Sequence, residues 1–331
     1  MVPLRSRRAP GGAVVFLDAG MGGAAFRADG GPSSSAPATG SSSSLTCPAR
    51  ATRSRRRGCR WCCSSTAGPG RATYGLYADH QWLANRGYAV LSVNYRGSTG
   101  FGKAFVNAAN REWAGKMHDD LIDVVDWAVA QQIADPSRVA IMGTSYGGYS
   151  ALVGLTFTPE KFACAVDLCG ISNLVTFLNT IPEYWMPWKS LWTVRVDDYT
   201  TETGLRFLEE RSPLNRADRI VRPLLIGQGA NDVRVKASES EQIVAAMQQH
   251  GIPATYLYYR DEGTGLGRPE NRRSFQAVVE AFLAAHLGGR CEPVGDDFAG
   301  STIEFKTGRE LIPGLASKAL PSVRLIPRSG A

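Results

Sequence analysis

The chain has 331 residues, 44% of them hydrophobic, which is enough to bury one large core. Its net charge of +7 is unevenly spread: eleven arginines against Asp18 and Asp29 give +9 within residues 1–72, so the remaining residues sum to −2. A near-neutral body argues against nucleic acid as a partner, and no apolar run is long enough to span a bilayer.

Residues 1–72 stand apart. They are rich in Arg, Ser, Ala and Gly and hold four of the seven cysteines: Cys47, Cys59, Cys62 and Cys63. Cys59-Arg-Trp-Cys62 has the spacing of metal ligands, but nothing supplies a second pair, so no metal and no cofactor is expected. Arg7-Arg8 before Gly12 to Leu17 faintly resembles an export signal, but the apolar stretch is short and Asp18 interrupts it. The compartment is left open, with the cytoplasm favoured.

From about residue 73 the pattern changes to strand-length apolar runs alternating with helical periods, which implies a mostly parallel sheet covered on both faces. Strands are predicted at 89–95, 138–142, 162–168, 224–226 and 256–259, and helices at 118–132, 147–157, 238–249 and 271–287. Residues 171–222 are less regular and carry aromatics from Tyr184 to Trp192, the composition of a pocket-lining insertion. Residues 291–331 are punctuated by Gly and Pro and read as a carboxyl-terminal extension packed on the surface.

Gly143-Thr144-Ser145-Tyr146-Gly147 follows a predicted strand and opens a predicted helix. That context makes a nucleophile elbow: the sharp turn lifts the serine hydroxyl above the sheet edge, and the Tyr146 amide faces a developing oxyanion. The alternative is a Gly-rich turn with an incidental serine. A serine nucleophile needs a base, and the base needs an acid on a later loop. Asp232 follows the strand at 224–226 and suits the acid, its alternative being a solvated loop carboxylate. The base should follow the strand at 256–259, where the chain reads Asp261-Glu-Gly-Thr264-Gly-Leu-Gly267. None of His80, His118, His250 and His286 lies on that loop.

Three segments carry a resemblance: Gly143-Thr-Ser-Tyr-Gly-Gly-Tyr149, Gln228-Gly-Ala-Asn-Asp-Val-Arg-Val235, and Asp261-Glu-Gly-x-Gly-x-x-Arg-Pro-Glu-Asn271. Together they resemble the catalytic domain of the prolyl oligopeptidase family, nearest its acylaminoacyl-peptidase and dipeptidyl-peptidase-like members, over residues 74 to about 315. The resemblance implies an α/β-hydrolase fold and a serine-type peptidase acting on short or amino-terminally modified peptides. Ser145 would be the nucleophile, Asp232 the acid, and Arg234 a contact for a substrate carbonyl. A homo-oligomer is compatible with it.

Two departures stand out. Thr264 stands where the family carries its catalytic histidine, and a threonine hydroxyl cannot relay a proton near neutrality. The family also places a strand ending in His-Gly-Gly-Pro just before residue 74, where this chain has Trp61-Cys-Cys-Ser-Ser-Thr-Ala-Gly-Pro-Gly70. Read two bases on, the codons of that stretch can spell Val-Leu-Leu-Val-His-Gly-Gly-Pro-Gly. Residues before about Thr73 are therefore read as translated out of frame and poorly packed, leaving the sheet incomplete at one edge. Losing one C and gaining one G would likewise turn Gly-His-Gly into Gly-Thr-Gly. The resulting expectation is a peptidase impaired at its base. The competing readings are a non-catalytic peptide- or partner-binding protein and a carboxylesterase.

Overall fold

The computed structural model describes residues 78–315 and, as backbone only, three strands before them: β1 (Ala13–Leu17), β2 (Ser42–Thr46) and β3 (Trp61–Ser65). The rest of residues 1–72, and with it most of the expectation of a poorly packed segment, lies outside the described residues.

Helix α1 (Ala78–Asn85) leads into β4 (Ala89–Asn94), an apolar strand buried throughout because both its faces are covered. The short helix α2 (Lys103–Asn107) precedes α3 (Lys116–Ala130), whose Met117, Leu121, Val124, Val125 and Ala128 form one buried stripe. Next come β5 (Val139–Thr144), α4 (Tyr146–Phe157) and β6 (Cys164–Leu168). The irregular stretch foreseen at 171–222 contains three short helices, α5 (Leu174–Asn179), α6 (Lys189–Arg195) and α7 (Glu202–Glu210). The alternation then resumes with β7 (Leu224–Gly229), α8 (Ala237–Gln249), β8 (Thr255–Tyr259) and α9 (Pro269–Leu287).

The sheet runs β1-β4-β3-β5-β6-β7-β8-β9, where β9 is Ile303–Thr307, and β2 adds to β4. Strands β3 to β8 run parallel, whereas β9 lies antiparallel on β8. Of the stretch 61–67, where an incomplete edge was expected, the described residues are 61–65. β3 pairs on both sides, with β4 and with β5, so the backbone there is strand whatever its side chains. β1 takes the same register on β5, with Ala13 and Trp61 each opposite Val139.

Alternation along each parallel strand divides the core into two layers. On β5, Val139 and Ile141 join the layer under α3, α4 and α8, while Ala140 and Met142 join the layer under α1 and α9. The second layer also contains Phe298, Ile303, Ile312 and Leu315. The segment set apart as an extension thus contributes a strand and four buried side chains to the sheet domain.

Candidate active site

The carboxyl ends of β5, β7 and β8 carry the three residues singled out from the sequence. Ser145 sits between β5 and α4 with φ 60 and ψ −113, a backbone conformation that a side chain rarely adopts. Strain of this kind costs on the order of 1–3 kcal/mol and persists only where the surroundings fix it. Here the Ser145 N–H donates to the Leu168 carbonyl at 2.9 Å, and the Ser145 carbonyl accepts from Tyr149 N–H at 2.9 Å. The elbow is therefore tied to β6 on one side and to its own helix on the other. The Tyr146 ring is buried against Trp113, edge to face at 4.5 Å, and beside Tyr149 at 5.5 Å and Tyr95 at 5.6 Å. That packing anchors the first turn of α4 and so the direction of the Tyr146 amide.

Asp232 is 3% exposed and lies in a turn that its own carboxylate closes. Its Oδ1 accepts from the N–H groups of Arg234 at 2.8 Å and Val235 at 2.9 Å. The same oxygen accepts from Thr264 Oγ1 at 2.5 Å, whereas Oδ2 is buried without a hydrogen-bond partner. Asp232 and Thr264 are thus brought into direct contact, 32 residues apart in sequence.

The approach of the two loops follows from their sequence. A Cβ on Gly229 would meet the Gly263 carbonyl at 2.3 Å, so only glycine lets the strand end pass under that loop. Asn231 N–H donates to the Glu262 carbonyl at 2.8 Å. Glu262, itself buried, accepts the Gly267 and Arg268 amides at 2.8 and 2.9 Å and the Asn271 amide group at 2.8 Å. A carboxylate at a helix start is favoured by the exposed N–H groups and the dipole of α9. The Asp261-Glu262 to Asn271 motif is therefore the device that folds the Thr264 loop.

Arg234 is exposed at the same edge, with its Nε 3.4 Å from the Tyr184 hydroxyl and its guanidinium 5.9 Å from the Trp185 ring. This connects it to the aromatic insertion, where Tyr184, Met186, Trp188 and Leu191 are all exposed. Behind the edge, a cavity of about 520 Å³ is bounded by Asp79, Trp82, Thr144, Leu168, Gly265, Leu266 and Arg272 among others.

Sequence reasoning missed Cys169. It is fully buried at the end of β6 with φ 46, next to Ser145, Asp232 and Gly265. Burial and the nearby Asp232 charge push its thiol well above the usual range, with the Gly265 and Ser145 amides pulling the other way. A positive φ at a non-glycine strand end is invisible in one sequence, so no signal could have found it. The histidines lie elsewhere. His80 pairs with Ser92 at 3.0 Å, and His118 with Thr158 at 2.9 Å. His250 caps the far end of α8, and His286 packs edge to face on Phe282 within α9. No cluster of His, Cys, Asp or Glu among the described residues is arranged to hold a metal.

The prolyl oligopeptidase family model matches residues 74–290. Dipeptidyl aminopeptidase BIII of Pseudoxanthomonas mexicana is 61% identical over 246 residues, covering 74% of this chain and 36% of its own. Dipeptidyl peptidase family member 6 of Caenorhabditis elegans is 51% identical over 224 residues, covering 67% and 30%. Among solved structures, a puromycin-hydrolyzing peptidase of Mycobacterium tuberculosis superposes with a TM-score of 0.69 at 28% identity, over 82% of this chain and 40% of that one. The chain spans 36% and 30% of the lengths of the two curated relatives.

Proposed function

The chain belongs to the prolyl oligopeptidase family, and on that premise we propose that it is a serine-type hydrolase of short or amino-terminally modified peptides, impaired by Thr264. In this reading Ser145 attacks the acyl carbon, the Tyr146 amide supports the oxyanion, and Arg234 meets a substrate carbonyl beside Tyr184 and Trp185. Asp232 is the acid that would orient an imidazole. The observation that carries the reading is the contact between Thr264 Oγ1 and Asp232 Oδ1 at 2.5 Å. The loop after β8 delivers its side chain to the acid, as a triad requires, but the delivered group has no usable basicity near neutrality.

Removing the base from a triad costs on the order of 10⁶ in turnover. Thr264→His should therefore accelerate acylation of Ser145 by about 10²-fold or more, measured in a single turnover with a chromogenic peptide anilide. Ser145→Ala on top of it should abolish the gain. If the unmodified chain acylates as fast as Thr264→His, this account of the site fails. Saturable peptide binding without acylation in either form would favour the non-catalytic reading.

A further inference from the structure

The Thr264 hydroxyl is committed in one direction. Its single O–H is donated to Asp232, so its remaining lone pairs can only accept, and the carboxylate behind it strengthens that capacity. Asp232 has acceptor capacity to spare, since Oδ2 is buried and unpartnered in a residue 3% exposed. An orphaned buried carboxylate oxygen favours a positive charge brought close to it. Thr144 and Gly265, the chain neighbours of Ser145 and Thr264, both line the cavity of about 520 Å³, so that space reaches the loops that carry the two side chains. None of the chain's own imidazoles is placed there.

We infer that Thr264 anchors a binding site for an imidazole ring from outside the chain, whose ring N–H donates to Thr264 Oγ while its second nitrogen faces Ser145. The ring comes either from a small free imidazole or from a histidine side chain of a bound peptide, and the inference rests on Ser145 being the nucleophile. As Ser145 Oγ bonds the acyl carbon, the ring nitrogen takes the hydroxyl proton, and the imidazolium is stabilised through Thr264 by the Asp232 charge. The proton then passes to the leaving amine as the carbon–nitrogen bond breaks, so the base returns unchanged. Water repeats the sequence to release the acid. A free α-amino group suits the site less well, because it is largely protonated at neutral pH and then has no lone pair to offer.

The test follows single-turnover acylation of the full chain by a histidine-free peptide anilide as imidazole is titrated at constant ionic strength. A parallel arm uses a histidine-containing anilide without free imidazole. The expected result is a saturable acceleration of at least about tenfold, smaller than that of the tethered base in Thr264→His. It should grow with the neutral fraction of the ring, and the histidine-containing substrate should outpace its histidine-free counterpart if peptides are the source. N-methylimidazole, which keeps the basic nitrogen but has no N–H, should do little, and Thr264→Val should lose the effect. An acceleration that is linear in imidazole, equal with N-methylimidazole, or retained in Ser145→Ala overturns the inference. Labelling of Ser145 by a fluorophosphonate in Thr264→His separates the two levels. Labelling there, with no imidazole effect in the parent chain, sinks this inference alone. No labelling sinks the assignment of Ser145 as well.

Discussion

At the scale of single residues, the site and the core place opposite demands on carboxylates. Asp232 is offered two backbone amides and a hydroxyl. Asp167, on β6 opposite Gly143 and Ile226, is fully buried, and neither of its oxygens completes a hydrogen bond. Burial pushes its carboxyl from the ordinary 3.8 up to about 8, and the nearby Gly170 amide offsets this only in part. A group that holds its proton more tightly when folded contributes stability at low pH that is lost as pH rises from about 4 to about 8. Asp167→Asn keeps the shape and removes the titration. It should flatten that decline in Tm against pH and leave the variant more stable than the parent at pH 8 relative to pH 5. An unchanged slope would mean that Asp167 is ionised in the fold. That Ser145, Asp232 and Thr264 follow the ends of successive strands was legible in the sequence, from apolar runs and, for Thr264, from the motif that resembles the family's. Asp167 and Cys169 were not, because a polar side chain in an apolar strand looks the same whether it is satisfied or stranded.

The elements were legible wherever periodicity was long. β4 to β8 and α3, α4, α8 and α9 fall within a few residues of their predicted bounds. What a pattern of residues cannot show is how closely two elements approach. α4 lies so near the end of β6 that a Cβ on Gly148 would come within 2.1 Å of Asp167 Oδ1 and 2.6 Å of the Gly170 backbone. Gly148→Ala should therefore cost about 1–3 kcal/mol in urea unfolding, the range for overpacking a tight core, and should slow Ser145 labelling in the Thr264→His background by shifting the elbow. The insertion is tied down differently. Glu239 on α8 accepts the Ser172 and Asn173 amides at 2.9 Å each, together with the Thr176 hydroxyl, and so fixes the start of α5. Glu239→Ala strands the buried Ser172 amide, at about 1–3 kcal/mol, and the partly buried Asn173 amide at less. It should lower the urea midpoint and also weaken peptide binding near Tyr184 and Trp185. A loss of stability with binding unchanged would show that α5 does not position the aromatic insertion.

For the whole molecule, the mostly parallel sheet covered on both faces was readable as alternating periods, and the α/β-hydrolase fold as what the three-motif resemblance implied, but the sheet's closing strand was not. Ile303 to Thr307 is a short run with two charged residues in a Gly-rich tail, and only the open edge of β8 makes it a strand. Matching to the family ends at residue 290, before this strand, so a chain cut there would keep every residue of the candidate site. It should nevertheless aggregate and melt at lower temperature, because Phe298, Ile303, Ile312 and Leu315 leave the core and β8 loses its antiparallel neighbour. A truncated chain as soluble and as stable as the parent would show the tail to be dispensable.

The position of β9 also has a consequence in time. Synthesis completes β8 at Tyr259 and β9 at Thr307, 48 residues later. At about 5–20 residues per second, the nascent sheet spends roughly 2–10 s with its last parallel strand made and its partner not yet translated. During that interval the edge of β8 can pair with any strand nearby, including that of a neighbouring nascent chain on the same message. Slow codons after residue 260 would lengthen the exposure and lower the yield of folded protein, without changing a single amino acid.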